Sequence, residues 1–323
     1  MNLKRTPLVY ITRQIPEAAV DILKKKKFNV KVYSKDHPIP QKELLKNIKN
    51  ADAVISLLTD RFDSKVIDKM ENCKIIANYA VGYNNIDVDY AKKKKVYVSN
   101  TPEVLTDSTA DLAISLALAC ARRIVEGEKF LMMKKYNGWK PKLLLGVELK
   151  NKTFGILGAG RIGTAVALRA KSFGTNIVYF SDLKNEFLEK EVLAKRLSLN
   201  ALLKKSDFVS IHLPLTEKTY HLLNKEKLSL LKKNSILVNT ARGEIIDEKA
   251  LIKILNDGKM RCAGLDVFEN EPNINPEFFK LKNVVLLPHI GSATEEARTE
   301  MALLAARNVI SVLSGKKPIT PLL

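Results

Sequence analysis

The sequence predicts an α/β protein made of two doubly wound domains with parallel sheets, and three observations carry that reading. Short β-branched runs alternate with helical patterns along almost the whole chain, the order that parallel crossovers produce. The alternation comes in two series, the second opening at Thr153 and running into a glycine-rich turn. At 323 residues the chain is long enough for two domains that each bury a core.

In the first series, strands are expected at residues 8–11, 29–33, 53–56, 75–78 and 96–99. Helices lie between them, for example over 16–25 and 40–48. Pro16 and Pro40 stand at their starts, where a missing N–H does no harm. One long helix is expected over 106–129, followed by the turn-forming Asn137-Gly138-Trp139-Lys140-Pro141. The second series places strands at 153–157, 176–180, 208–212, 235–239, 262–267 and 284–287. A last helix over 294–313 stops before Gly315 and Pro318. Ligands in such folds bind at the carboxyl ends of the strands, so an active-site cleft between the two domains is the expectation.

Composition narrows the function classes. The longest apolar stretch, residues 112–121, is too short to cross a bilayer and suits a buried helix. The N-terminus passes within a few residues into Leu8-Val9-Tyr10-Ile11, a first strand rather than a signal peptide, so the cytoplasm is the expected compartment. Cys73, Cys120 and Cys262 are odd in number and far apart, which indicates three buried thiols and neither a disulfide framework nor a metal site. The net charge of +19 raises nucleic acid as a partner. Its densest runs, Lys24 to Lys27 and Lys92 to Lys95, fall at expected helix ends, where cations complement the dipole. No zinc finger, stacking-aromatic motif or arginine-rich arm accompanies them, so no nucleic-acid partner is expected.

Gly158-Ala159-Gly160-Arg161-Ile162-Gly163 follows a strand and opens an apolar-periodic helix. Gly158 permits a tight turn, Gly160 lets the backbone approach a pyrophosphate, and Gly163 lets helix and strand pack closely. The glycine spacing alone is a weak signal. Here an acidic residue also stands about twenty positions on, as ribose recognition in a Rossmann-like domain requires. Asp182 is that residue, although Ser181 before it is the alternative occupant of the key position. A carboxylate there favours NAD, while Lys184 keeps NADP open as the alternative.

Three reactive side chains then follow strands of the same series: Arg242 in Asn239-Thr240-Ala241-Arg242-Gly243, Glu271 after Asp266-Val267-Phe268-Glu269-Asn270, and His289 in Pro288-His289-Ile290-Gly291. Arginine can pair with a substrate carboxylate and polarise a neighbouring carbonyl. Histidine can donate a proton to a developing alkoxide, and a glutamate bonded to it fixes the ring and favours its charged form. Singly, the arginine reads as an ion-pair partner and the histidine as a packing or capping residue; their joint occurrence at one strand edge after a nucleotide loop reverses that. His212, also at a strand end, is the second-choice histidine.

Those motifs resemble the D-isomer-specific 2-hydroxyacid dehydrogenases over nearly the whole chain, and Asn78-Tyr79-Ala80-Val81-Gly82-Tyr83-Asn84-Asn85-Ile86-Asp87 is most similar to their glyoxylate and hydroxypyruvate reductase branch. The resemblance implies reduction of a small 2-keto acid to the 2-hydroxy acid, with Arg242 as substrate anchor, Glu271 as the histidine's partner and His289 as acid/base. It implies a discontinuous substrate domain, residues 1–101 and 290–323, around a dinucleotide-binding domain, 102–289. Backbone amides at Val81 and Gly82 would hold the substrate carboxylate and Leu58 would wall its pocket. Thr106, Arg161, Ile162, Pro214, Thr240, Ala241, Asp266 and Gly291 would touch the cofactor alongside the three glycines. A homodimer is implied too, with the segment around Trp139 reaching across. Another D-2-hydroxy acid such as 3-phosphoglycerate is the enzyme alternative, and an NAD-sensing corepressor-like protein the alternative of another class.

Overall fold

The computed structural model describes residues 5–322. The chain divides into two compact units, Met1–Leu105 with Ser292–Leu323, and Thr106–Gly291. Twelve strands are found among the described residues: β1 Leu8–Ile11, β2 Asn29–Val32, β3 Ala53–Ser56, β4 Ile75–Asn78, β5 Tyr97–Ser99, β6 Thr153–Leu157, β7 Asn176–Phe180, β8 Lys195–Arg196, β9 Phe208–Ile211, β10 Ile236–Asn239, β11 Cys262–Leu265 and β12 Val284–Leu286.

In the first unit the strands run in the order β2-β1-β3-β4-β5, all parallel. Apolar residues from both ends of the chain build it. Helix Glu295–Leu313 packs on β3, β4 and helix Glu17–Lys25. The buried Asn308 fastens the segment after that helix. Its amide donates to Leu304 O and Thr320 Oγ1, both at 2.9 Å, and its carbonyl accepts from Ile319 N and Thr320 N at 2.8 and 3.0 Å. All four partners of a side-chain amide are thus supplied at a site without solvent.

In the second unit the order is β12-β11-β10-β9-β6-β7-β8, again all parallel. Successive residues feed opposite cores: Ile156, Tyr179, Phe208 and Val238 join one apolar cluster, and Leu157, Val178, Val209 and Leu237 the other. A strand buried on both faces must be apolar at consecutive positions, which explains the unbroken runs in the sequence. The chain order reverses between β6 and β9, and that switch point opens a crevice at the carboxyl ends.

The α/β class with two parallel sheets is the one expected, and strand limits move by one or two residues. Two elements differ. The long helix over 106–129 is two helices, Thr106–Arg122 and Ile124–Met132. Arg123 takes a left-handed φ of 56° between them, held by paired bonds to Glu126 at 2.6 and 2.8 Å. The returning chain explains the break, because Val147 N donates at 2.9 Å to Ala121 O, the carbonyl a continuous helix would keep for itself. The second difference is β8, an exposed edge strand of two residues with no apolar pattern to reveal it.

Candidate active site

The glycine loop sits at the switch point of the second unit. Gly158 has a φ of 96°, and a Cβ there would lie 2.7 Å from the His212 carbonyl carbon in the loop after β9. At Gly163 a Cβ would lie 1.9 Å from Gly158 O, so this glycine is what lets helix Arg161–Ser172 close on the turn. Gly160 is different: nothing stands within 4 Å of its would-be Cβ, and no side chain caps the helix it begins. Asn185 secures the loop from the β7 side, donating to Ala159 O and Thr164 Oγ1 at 2.9 Å each. The hydroxyl of Thr240, just past β10, is buried and has no hydrogen-bond partner. An open backbone approach at a helix N-terminus and an orphaned hydroxyl fit a dinucleotide, whose pyrophosphate the helix end would hold.

The reactive side chains stand on three neighbouring strand ends. After β10, Asn239 shapes the turn by donating to Arg242 O at 2.8 Å and accepting from Ala241 N at 3.0 Å. Arg242 Nη1 donates to Ala241 O at 2.7 Å. Burial lowers its pKa, opposed by the charges of Glu271 and Glu244. After β11, Glu271 Oε1 accepts the Phe268 N–H at 2.9 Å and Oε2 lies 2.7 Å from His289 Nδ1. Burial works to raise the Glu271 pKa, yet the bond and charge of His289, the Phe268 amide and Arg242 together hold it below the usual carboxylate range.

His289 follows β12 with a left-handed φ of 56°, a conformation that costs a non-glycine residue roughly 1–3 kcal/mol. Asp266 enforces it. This fully buried carboxylate accepts from Ile290 N and Gly291 N, both at 2.7 Å, while Asp266 O accepts from His289 N at 2.9 Å. Burial raises the Asp266 pKa against those amides and the charge of His289. Asp266 and Gly291 therefore form one turn that aims the imidazole. His212 differs in chemistry: burial pushes its pKa down to about 3, and Nε2 meets Ser210 Oγ at 2.8 Å. A ring kept neutral through the physiological range is a poor proton donor to an alkoxide.

The remaining expected residues fall as follows. Thr106 begins helix Thr106–Arg122, Arg161 and Ile162 begin the helix after the glycine loop, and Pro214 O accepts from Thr219 Oγ1 at 2.6 Å. Ser181 and Asp182 follow β7, their carbonyls held by Arg196 at 2.6 to 3.1 Å. In the first unit, Val81 O accepts from Asn100 and Gly82 O from Asn78, both at 2.9 Å, which fixes these peptides. Leu58 borders a cavity of about 440 Å³ with Asp60 and Asn85. Sequence reasoning left Asn185, Asn239, Glu269 and His221 without roles. An asparagine before a helix start is the signal for Asn185 and one at a strand end the signal for Asn239; the last two meet only through the fold.

The family model for the D-isomer specific 2-hydroxyacid dehydrogenase NAD binding domain matches residues 114–291, more than half of the chain. The chain belongs to the D-isomer-specific 2-hydroxyacid dehydrogenases. The dehydrogenase is 49% identical to the glyoxylate reductase of Thermococcus litoralis over 97% of this chain and 95% of the relative. The TT0316 protein of Thermus thermophilus superposes with a TM-score of 0.92 at 41% identity, covering 98% of this chain and all of that one. An NADPH-dependent glyoxylate/hydroxypyruvate reductase from Sinorhizobium meliloti, in complex with NADP and malonate, superposes at 0.85 with 29% identity, covering 98% and 96%. The dehydrogenase is an NAD(P)-dependent oxidoreductase acting on small 2-keto and 2-hydroxy acids. Among its described residues no helix is long and apolar enough to cross a membrane.

Proposed function

We propose that this dehydrogenase reduces glyoxylate or hydroxypyruvate to the 2-hydroxy acid, with His289 as proton donor. The observation that carries the reading is the 2.7 Å Glu271–His289 pair at the strand edge that also bears Arg242. Glu271 occupies Nδ1, so Nε2 is the nitrogen that gives a proton to the carbonyl oxygen. Bound nicotinamide supplies the hydride to the carbonyl carbon. Arg242, always charged and forked, pairs with the substrate carboxylate and polarises the carbonyl beside it. In the first unit, the fixed Val81 and Gly82 peptides are proposed as amide donors to that carboxylate, and Leu58 as a pocket wall. Similarity to the Thermococcus reductase supports glyoxylate.

NADH is the proposed reductant. Both cations beside the β7 terminus are already engaged, Arg196 by the Ser181 and Asp182 carbonyls and Lys184 by Glu189 at 3.3 Å. Asp182 adds a carboxylate that repels a 2′-phosphate. A second copy of the chain is the proposed macromolecular partner, docking on helix Ile124–Met132 and the segment after it. Three buried free thiols, with Cys120 and Cys262 side by side and unbridged, support the cytoplasm, where cysteines stay reduced.

Initial rates of NADH and NADPH oxidation with glyoxylate and hydroxypyruvate test the reading. His289→Ala should lower kcat by at least about 100-fold while NADH affinity holds. A variant that still turns over at the wild-type rate would remove His289 from the chemistry.

A further inference from the structure

A second histidine–glutamate pair lies beside the first, on the same loop. Glu269 is two residues before Glu271, and its Oε1 stands 2.6 Å from His221 Nε2. His221, like His289, has a left-handed backbone, with a φ of 46°. Its ring stacks on Tyr220 at 4.1 Å and an interplanar angle of 14°, which fixes the direction of Nε2. The pair is knotted to the main chain around it. Glu269 N donates to Glu248 Oε1 at 2.9 Å, Glu248 N donates to Glu269 Oε1 at 3.3 Å, and His221 N donates to Glu244 O at 2.8 Å.

These bonds join three stretches distant in sequence: the loop around His221, the segment from Arg242 to Glu248, and the loop from Phe268 to Pro272. The last two approach so closely that a Cβ at Gly243 would lie 2.0 Å from the Phe268 carbonyl carbon. Arg242 precedes that contact by one residue, and Glu271 follows it by a few.

We propose that His221, Glu269 and Glu248 are positioning residues that lock the Glu271 loop onto the Arg242 segment and keep carboxylate and guanidinium in register for the reaction. The inference rests on the roles proposed above for Arg242, Glu271 and His289. Catalytic geometry tolerates little error, and a displacement of about 1 Å can cost roughly 100-fold in rate. The Glu271 loop carries no regular element across residues 267–272, so side-chain bonds must fix it. Charge gives a second reason. Glu244, Glu248, Glu269 and Glu271 crowd one corner, and burial, then the neighbouring carboxylates, raise the Glu248 pKa. The ionisable groups that act on Glu248 beside the pair are Glu244, Glu269 and Glu271, and Tyr220 covers the His221 ring. The His221 N–H is the donor that lets Glu269 sit there in the bonded position.

The test compares His221→Leu, which has no donor, with His221→Gln, whose amide N–H reaches about as far as Nε2. With NADH and glyoxylate, the leucine variant should lose roughly ten- to a hundredfold in kcat/KM. Its NADH dissociation constant should be unchanged, and the basic limb of its pH profile should move to lower pH as a displaced Glu271 holds the imidazolium less well. The glutamine variant should recover most of both effects. A merely structural cluster would lower the melting temperature and leave the pH profile in place. Wild-type kcat/KM and pH profile in the leucine variant would overturn the proposal, as would equal losses in both variants without a moved limb. If the leucine variant does not fold, Glu269→Gln is read instead and must move the limb in the same direction. Turnover retained by His289→Ala would instead strike the underlying reading, so the two failures are distinguishable.

Discussion

Glu271 performs two tasks with one carboxylate, holding its own loop through the Phe268 N–H and orienting the ring of His289. Because its folded-state pKa is depressed, its ionised form contributes stability that is complete above the ordinary carboxylate value. That contribution is lost as pH falls through the lowered folded value. At neutral pH the carboxylate is charged, and in the proposed mechanism it stands beside the ring that would give the proton. Glu271→Gln keeps a hydrogen-bond acceptor but removes the charge beside His289, so under the proposed mechanism the basic limb of kcat/KM should move to lower pH. A pH-rate profile checks this; an unmoved limb would reduce Glu271 to a loop fastener. Local motifs made Arg242, Glu271 and His289 legible, because each sits in a short pattern with its own chemical logic. His221 was opaque for a physical reason: its partner is 48 residues away, and only the parallel sheet brings the two loops together.

Among elements, the glycine turn separates folding from binding. Gly163→Ala would drive a Cβ into Gly158 O at 1.9 Å, which forces helix Arg161–Ser172 off its strand. Gly160→Ala meets no protein atom within 4 Å and so leaves the fold alone, but it fills the space through which a pyrophosphate approaches. Thermal denaturation and NADH titration should therefore diverge. Gly163→Ala lowers the melting temperature and weakens NADH, whereas Gly160→Ala weakens NADH at an unchanged melting temperature. If both variants lose stability equally, the open space at Gly160 is not what the loop provides. Nearly every strand was readable because central strands buried on both faces must be apolar throughout. The exposed β8 had no such constraint, and the break at Arg123 depends on Val147, which no helical periodicity can foresee.

At the scale of the whole molecule, periodicity predicts the last helix but not the unit it joins; the resemblance assigned it to the N-terminal residues. Packing on β3 and β4 and the four bonds of Asn308 show what makes that return stable. The second unit has an apolar surface of the opposite kind. Helix Ile124–Met132 buries none of its residues, and beyond Leu131 the chain exposes Met132 at 76% and Trp139 at 80%. Exposed apolar side chains along one short stretch are what an association site would offer, and a second copy is the proposed occupant. Trp139 is the only tryptophan in the sequence, so its emission reports on this arm alone. At working concentration the protein should sediment at twice the mass of the chain, with a blue-shifted emission protected from acrylamide. Dilution to the monomer, or Met132→Glu, should move the emission to the red and open it to quenching. A dimer whose tryptophan is as quenchable as free indole would place the interface elsewhere and leave this arm without its proposed partner.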